Sequence, residues 1–244
     1  MAEGDVSAAI GVVGGLWASG AVPHDLTLEL ADRFPTSEEV SALLGFAADR
    51  HVARGELVAA TELGRRRVGV WRARCQEEPS PDNLDGHLGA LDALAVVYLA
   101  RNLPGQVVGC LAEVADWQVS HGHRIGVAWA YREMGAVALR AGDLPSAIRR
   151  LTRADEVYGE HADDPDARCE RAGCRVLLGR AARARGDDAG ARGWFTAALP
   201  DLDGDAATEV HALLWAMEVG SPLPEPVAVG AGEFGRPDRP PAHG

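Results

Sequence analysis

Ala130-Tyr131-Arg132-Glu133-Met134-Gly135, followed by Ala138, Gly142-Asp143, Ala147, Leu151 and Ala154, reads as a helix, a turn and a second helix. Tyr131, Met134, Gly135 and Ala138 recur at three- and four-residue steps, which places them on one helical face. Gly142 suits the left-handed conformation that ends a helix, and Asp143 suits the N-cap of the next. Pro145 then falls in a first turn, where its missing N–H leaves no bond unmade. Ala147, Leu151 and Ala154 form the facing stripe.

The same grammar recurs on both sides. Gly55, Asn102 and Gly186 each close a helical pattern, and the four turns at 55, 102, 142 and 186 are 47, 40 and 44 residues apart. Leu91, Leu94, Ala95 and Tyr98 precede Asn102, and Leu178, Gly179 and Ala182 precede Gly186. After the turns, Ala191, Phe195 and Ala198 match Ala147, Leu151 and Ala154, with Val107, Leu111 and Val114 a looser copy. The segment from Gly55 to Arg74 is the least regular. Small residues at Ala95, Gly135 and Gly179 let the two helices of each hairpin close together. Periods of this size specify stacked helical hairpins, an all-α solenoid.

At these residues the chain resembles the tetratricopeptide repeat (TPR), whose pattern is W-x2-L-G-x2-Y, then Ala, then Phe and Ala. Because the period exceeds 34, it is similar to the longer kinesin-light-chain-like variety of bacterial regulatory proteins. Leu91-Asp92-Ala93-Leu94-Ala95-Val96-Val97-Tyr98 is similar to that variety's L-N-N-L-A-x-x-Y. The resemblance spans roughly residues 37 to 200 and implies a TPR-like α-α superhelix, a solenoid of helical hairpins that binds other proteins. One departure concerns the paired asparagines with which such repeats often hold a peptide backbone. Their places are taken by Asp92-Ala93 and Arg132-Glu133, which argues against peptide binding of the usual kind.

Composition narrows the function classes. A net charge of -12 argues against nucleic acid or an anionic membrane as partner. All 24 basic residues are Arg, as GC-rich bacterial coding favours. With no Lys, a Walker phosphate loop, Schiff-base chemistry and a lysine clamp for a partner's C-terminal carboxylate are excluded. Aromatic residues make up 5%, which leans toward closely packed helices rather than a β-sandwich. Cys75, Cys110, Cys169 and Cys174 form no CxxC pair and read as four small buried residues of a reducing compartment. No basic segment precedes the apolar run near Ala8 to Trp17, and no run is long enough to span a membrane, so a cytoplasmic chain is expected.

Three regions are expected. Residues 1–34 form an N-terminal helical segment, with a helix from about His24 to Phe34 and a glycine-weakened one from Val6 to Ser19. Residues 35–220 form the repeat domain, opened by a Thr36/Glu39 capping box and closed by a capping helix over Asp205 to Val219. Residues 221–244 form a disordered Pro/Gly-rich tail.

The groove-lining positions of the central repeat read as Trp129, Arg132, Ala136 and Arg140, those of the next as Val176, Arg180 and Arg183, and Asp92 lies in the preceding one. Arginines fork onto carboxylates and a Trp offers a flat anchor, so the face suits a protein or peptide partner with acidic segments. His121-Gly122-His123 after Asp116 is the acid–base alternative, though spacing supplies no further metal ligand. Asp201 to Asp205 is no calcium loop, because Ala206 and Ala212 stand where Gly and Glu belong. Arg65-Arg66-Arg67 with Arg72 and Arg74 reads as one exposed basic face. The expectation is a non-catalytic adaptor or regulatory protein that needs no cofactor or metal. The alternatives are a receptor for a small signal or peptide, or an enzyme using His121 and His123. An exposed repeat end is compatible with homo-oligomers.

Overall fold

The computed structural model describes residues 3–21 and 23–223, and within them the chain forms eleven α-helices with one short 3₁₀ turn. Two compact units divide at Cys110/Leu111. Most of the tail expected from residue 221 lies outside the described residues. Leu223 is described and packs against the core of the second unit.

The first unit contains α1 (Glu3–Ala18), α2 (His24–Arg33), α3 (Glu38–Ala53), α4 (Leu57–Glu77) and α5 (Pro81–Ala100). The α3–α4 hairpin turns at Gly55, whose φ of 73° is the left-handed conformation its side-chain-free backbone accepts. Asn102, after α5, has a φ of 55°. Helix α3 starts one residue later than the sequence suggests. Ser37, not Thr36, accepts from the Val40 N–H at 3.2 Å, because only Ser37 stands three residues ahead of that free donor. The Thr36 carbonyl instead accepts from Arg74 at 3.0 Å.

Glycines set how closely the helices of this unit approach. A Cβ on Gly86 of α5 would lie 2.5 Å from the Trp71 ring of α4, and one on Gly64 would lie 3.0 Å from Leu94. The apolar face of α1 and α2, with Val13, Trp17, Leu30 and Ala31, buries against Val40, Leu44, Ala47 and Leu63. The arginines of α4 do not share one exposed face. At ~100° per residue three consecutive side chains must splay. Arg65 donates to the Tyr98 hydroxyl at 2.7 Å, and Arg66 pairs with Asp32. Arg67 lies over Gly45, and its burial lowers the guanidinium's proton affinity. Arg74 joins Thr36, Glu38 and Asn83 across three helices.

The division falls inside α6 (Pro104–Ser120). The second unit continues with α7 (Arg124–Arg140), α8 (Leu144–Gly159), α9 (Pro165–Ala184), α10 (Asp188–Ala198) and α11 (Gly204–Glu218). Hairpins α7–α8 and α9–α10 turn at Gly142 and Gly186, both with positive φ. Asp143 and Asp187 cap the second helix of each, accepting from Ser146 N–H and Gly190 N–H. Both hairpins close by the same device. A Cβ on Gly135 would lie 2.6 Å from Leu151, and one on Gly179 would lie 2.4 Å from Phe195. Leu151 and Phe195 are fully buried, each contributing about 2–3 kcal/mol of apolar burial. Helix α11 covers α10 through Val210 and Leu213, but its other side leaves Trp215 exposed, and Val219 just past its end is exposed too.

The cysteines divide. Cys110 and Cys174 are buried, Cys75 is half-buried and Cys169 is exposed, with no disulfide among them. Five residues along α9 turn Cys169 well away from Cys174, so both cannot face the core. No helix of the described residues is long and apolar enough to cross a membrane.

Candidate functional site

In the second unit the first helix of each hairpin, α7 and then α9, carries the arginines singled out in the sequence. Arg132 leaves α7 toward α9, where its guanidinium passes over Gly173 at 3.7 Å from that residue's Cβ position. It donates twice to Glu133, at 2.9 and 2.7 Å, and once to Glu170 of α9. Burial alone would favour a neutral guanidine, but Glu133 and Glu170 overcome it and raise the proton affinity of Arg132 well above the ordinary arginine value. Arg180 of α9 makes the next step, donating to Glu209 of α11 at 2.6 Å. The two pairs form one motif, an arginine on a lining helix joined to a glutamate on the following one.

The remaining positions differ. Arg183 pairs with Asp188 across the α9–α10 turn, and Arg140 is exposed at the end of α7. Trp129 is only 9% exposed. Helix α7 is packed on several sides, with Ala128, Trp129, Ala130, Glu133, Met134, Val137 and Ala138 all buried, so little of its surface is left to line a groove. The flat anchor expected at Trp129 is thus a core side chain. Asp92 is half-buried on α5 in the first unit.

Beneath Arg132 lies a buried polar layer that the sequence did not suggest. Tyr158 of α8 and Cys174 of α9 belong to the cluster containing Ala128, Ala154, Val157 and Ala167. Burial, aided by nearby Glu170 for the tyrosine, pushes both groups far above their usual ionisation ranges. They remain neutral, and Cys174 has no nucleophilic character at neutral pH.

His121 and His123 occupy the α6–α7 turn, whose Gly122 has a φ of 73°. Both rings are exposed and stack on Trp117, with centroids 4.3 and 5.7 Å from it. The His121 Nδ1 lies 3.0 Å from the Trp117 carbonyl, so it donates there rather than to a carboxylate. Asp116 is exposed on α6. Among the described residues no three His, Cys, Asp or Glu side chains are grouped to hold a metal ion.

The fold has known counterparts. The nearly identical TPR-like repeats of a Podosopora anserina putative kinesin light chain match with 18% identity, covering 74% of this chain and 88% of that one, at a TM-score of 0.53. A single-substitution form of the same repeats matches with 18% identity over 75% and 90% of the two chains, at a TM-score of 0.55. BtubC (BKLC) from P. vanneervenii has 18% identity over 84% and 76%, with a TM-score of 0.49. No protein-family model and no curated protein matches the sequence. The likeness shows a TPR-like fold of stacked helical hairpins.

Proposed function

We propose that the chain is a non-catalytic interaction module, an adaptor or regulatory protein, that binds a protein partner at the arginines of α7 and α9 in its second unit. The observation that carries this reading is the ordered arginine row on α7 and α9. Arg132 is fixed by Glu133 and Glu170, Arg180 by Glu209 and Arg183 by Asp188. Side chains already fixed lose little rotamer freedom when a partner docks. A guanidinium has five N–H donors, so Arg132 retains hydrogen-bonding capacity after its pairing. Arg140 adds an exposed cation at the end of the same helix as Arg132. Arg132, Arg180 and Arg183 are already neutralised by their own carboxylates, so a partner that presents a carboxylate to Arg140 fits best, and the overall charge of -12 disfavours nucleic acid and anionic membranes.

The test is site-specific photo-crosslinking in an extract of the source organism. A benzophenone side chain replaces Ala141, beside Arg140 at the end of α7, in one variant and Arg153 on the opposing helix α8 in another; both positions are exposed, and Arg140 itself is kept. The proposal expects a discrete crosslinked partner from position 141, competed away by unlabelled protein, and none from position 153. Crosslinks confined to position 153, or the same products from both, would overturn it.

A further inference from the structure

His24 opens α2 and His51 sits in the last turn of α3, and their rings meet. His24 Nδ1 lies 3.2 Å from His51 Nε2. Each outer nitrogen faces a carboxylate: His51 Nδ1 is 2.5 Å from Glu56 Oε2, and His24 Nε2 is 3.3 Å from Glu62 Oε2. The result is a continuous chain Glu56–His51–His24–Glu62 that ties α2 to α3, to the turn after it and to α4. Trp17 of α1 sets its ring edge-on to His51, with centroids 5.3 Å apart, and donates from Nε1 to Thr27 of α2 at 3.0 Å. His51 is 3% exposed.

Proton counting decides what this chain is. An ionised carboxylate only accepts, so each outer nitrogen must carry a proton, and the inner contact needs one N–H and one lone pair. Three contacts thus take three ring protons, whereas two neutral imidazoles hold two. The complete chain carries one extra proton and one positive charge between two carboxylates. The C-terminal end of α3 favours that charge at His51. The other charged groups nearby are Asp25, adjacent to His24, and Arg54, whose guanidinium lies 5.9 Å from the Trp17 ring centroid and reaches the Gly20 carbonyl. Arg54 opposes the extra proton; Asp25, Glu56 and Glu62 support it.

We propose that this chain is a proton-dependent clasp that fastens α1 and α2 over the first hairpin. When the extra proton leaves, one of the three contacts has no hydrogen: a ring lone pair faces a carboxylate, or the two inner lone pairs face each other, and that contact becomes repulsive. The clasp is complete while the extra proton is held and weakens when it leaves. Loosening α1 and α2 uncovers the apolar face formed by Val40, Leu44, Ala47 and Leu63.

Glu62→Gln separates this mechanism from a merely structural contact. An amide can donate to an unprotonated His24 Nε2, so the variant chain is complete with two ring protons. The experiment is hydrogen exchange resolved to residues 3–33 of the full chain, at pH 6 and pH 8, corrected for intrinsic exchange rates. In the native protein, protection of this segment relative to the rest of the first unit should fall about fivefold between the two pH values, the scale of one partly exposed charge-assisted hydrogen bond. In Glu62→Gln it should stay level. A native protein with level protection, or a variant that loses protection in parallel with it, would overturn the clasp.

Discussion

Replacing Gly135 with Ala tests whether close hairpin packing is what the repeat motif encodes. The added methyl would sit 2.6 Å from Leu151 Cγ, 2.8 Å from Cδ2 and 3.3 Å from the backbone N of Leu151. Leu151 is fully buried in a cluster with Ala138, Ala147 and Leu178, so its side chain has no empty rotamer to enter. The backbone contact means α8 itself has to shift. Overpacking of this kind costs about 1–3 kcal/mol. Against it stands a gain of about 0.5–1 kcal/mol for Ala over Gly inside a helix. The expected net loss is about 1 kcal/mol, with an upper bound of about 2.5 kcal/mol. Gly69→Ala is the control, because nothing lies within 4 Å of its Cβ position and only the helical gain remains. Denaturant titration by circular dichroism reads both, and the slope checks that the transition keeps its character. Leu151→Ala, which by itself costs about 2–5 kcal/mol, supplies the second half of a double-mutant cycle. With the clash removed, the double variant should lose less than the sum of the single losses. Gly135→Ala as stable as Gly69→Ala, or strict additivity in the cycle, would refute the packing argument.

The turn at Asn102 holds the one positive-φ residue other than glycine among the described residues, so Asn102→Ala should destabilise by about 1 kcal/mol while Asn102→Gly is neutral or stabilising, read as shifts in thermal midpoint. Thiol labelling of the native protein should mark Cys169 first and spare Cys174 until unfolding. Burial and then Glu170, Asp203 and Asp166 raise the Cys169 thiol, so its labelling should be slower than that of free cysteine at pH 8 and should quicken with pH and with salt. At the cap of α8, hydrogen bonds from Ser146 hold the Asp143 carboxyl below its ordinary value of 3.8. A folded-state value that is depressed stabilises the protein above the ordinary value and loses that effect as pH falls through the depressed one. The denaturation midpoint of the native protein should therefore fall relative to that of Asp143→Asn between pH 5 and pH 2.5. A constant difference would show that the cap is not ionic.

The parts of this fold that could be read from sequence are those whose cause is local. Gly55, Asn102, Gly142 and Gly186 all adopt the left-handed conformation, which few residue types tolerate, so the chain advertises its turns. The Gly135–Leu151 and Gly179–Phe195 contacts follow from the same spacing in two successive hairpins. Gly122 adopts the same conformation in the turn between α6 and α7. What escapes a sequence reading depends on partners distant along the chain. Glu170 reaches Arg132 across 38 residues, and Glu209 reaches Arg180 across 29. His24 meets His51 across 27. Helical periodicity says which side of its own helix a residue occupies, not which carboxylate the next helix brings. Trp129 illustrates the same limit: the phase of α7 is legible, but not how many neighbours close around it.

The pairing of Arg132 also determines how the proposed surface can be tested. Its partner Glu133 is a nearly buried carboxylate, with a side chain 12% exposed, whereas Glu170 is more open to water. Truncating Arg132 leaves Glu133 charged in the core without its counter-ion, and breaking a pair in that way costs about 3 kcal/mol. Lost binding in Arg132→Ala would therefore mix damage to the stack with loss of a contact. Arg132→Ala/Glu133→Gln removes the stranded charge and should regain much of that stability in a denaturation experiment. If it does not, the Arg132–Glu133 pair is not what stabilises this layer. Arg140 lies on the same helix, exposed and remote from the buried layer, so its replacement should change partner binding with stability unaltered. A partner that reads the arginine row thus distinguishes its members. Arg132 is needed to keep the row standing, and Arg140 is where recognition can be altered independently of the fold.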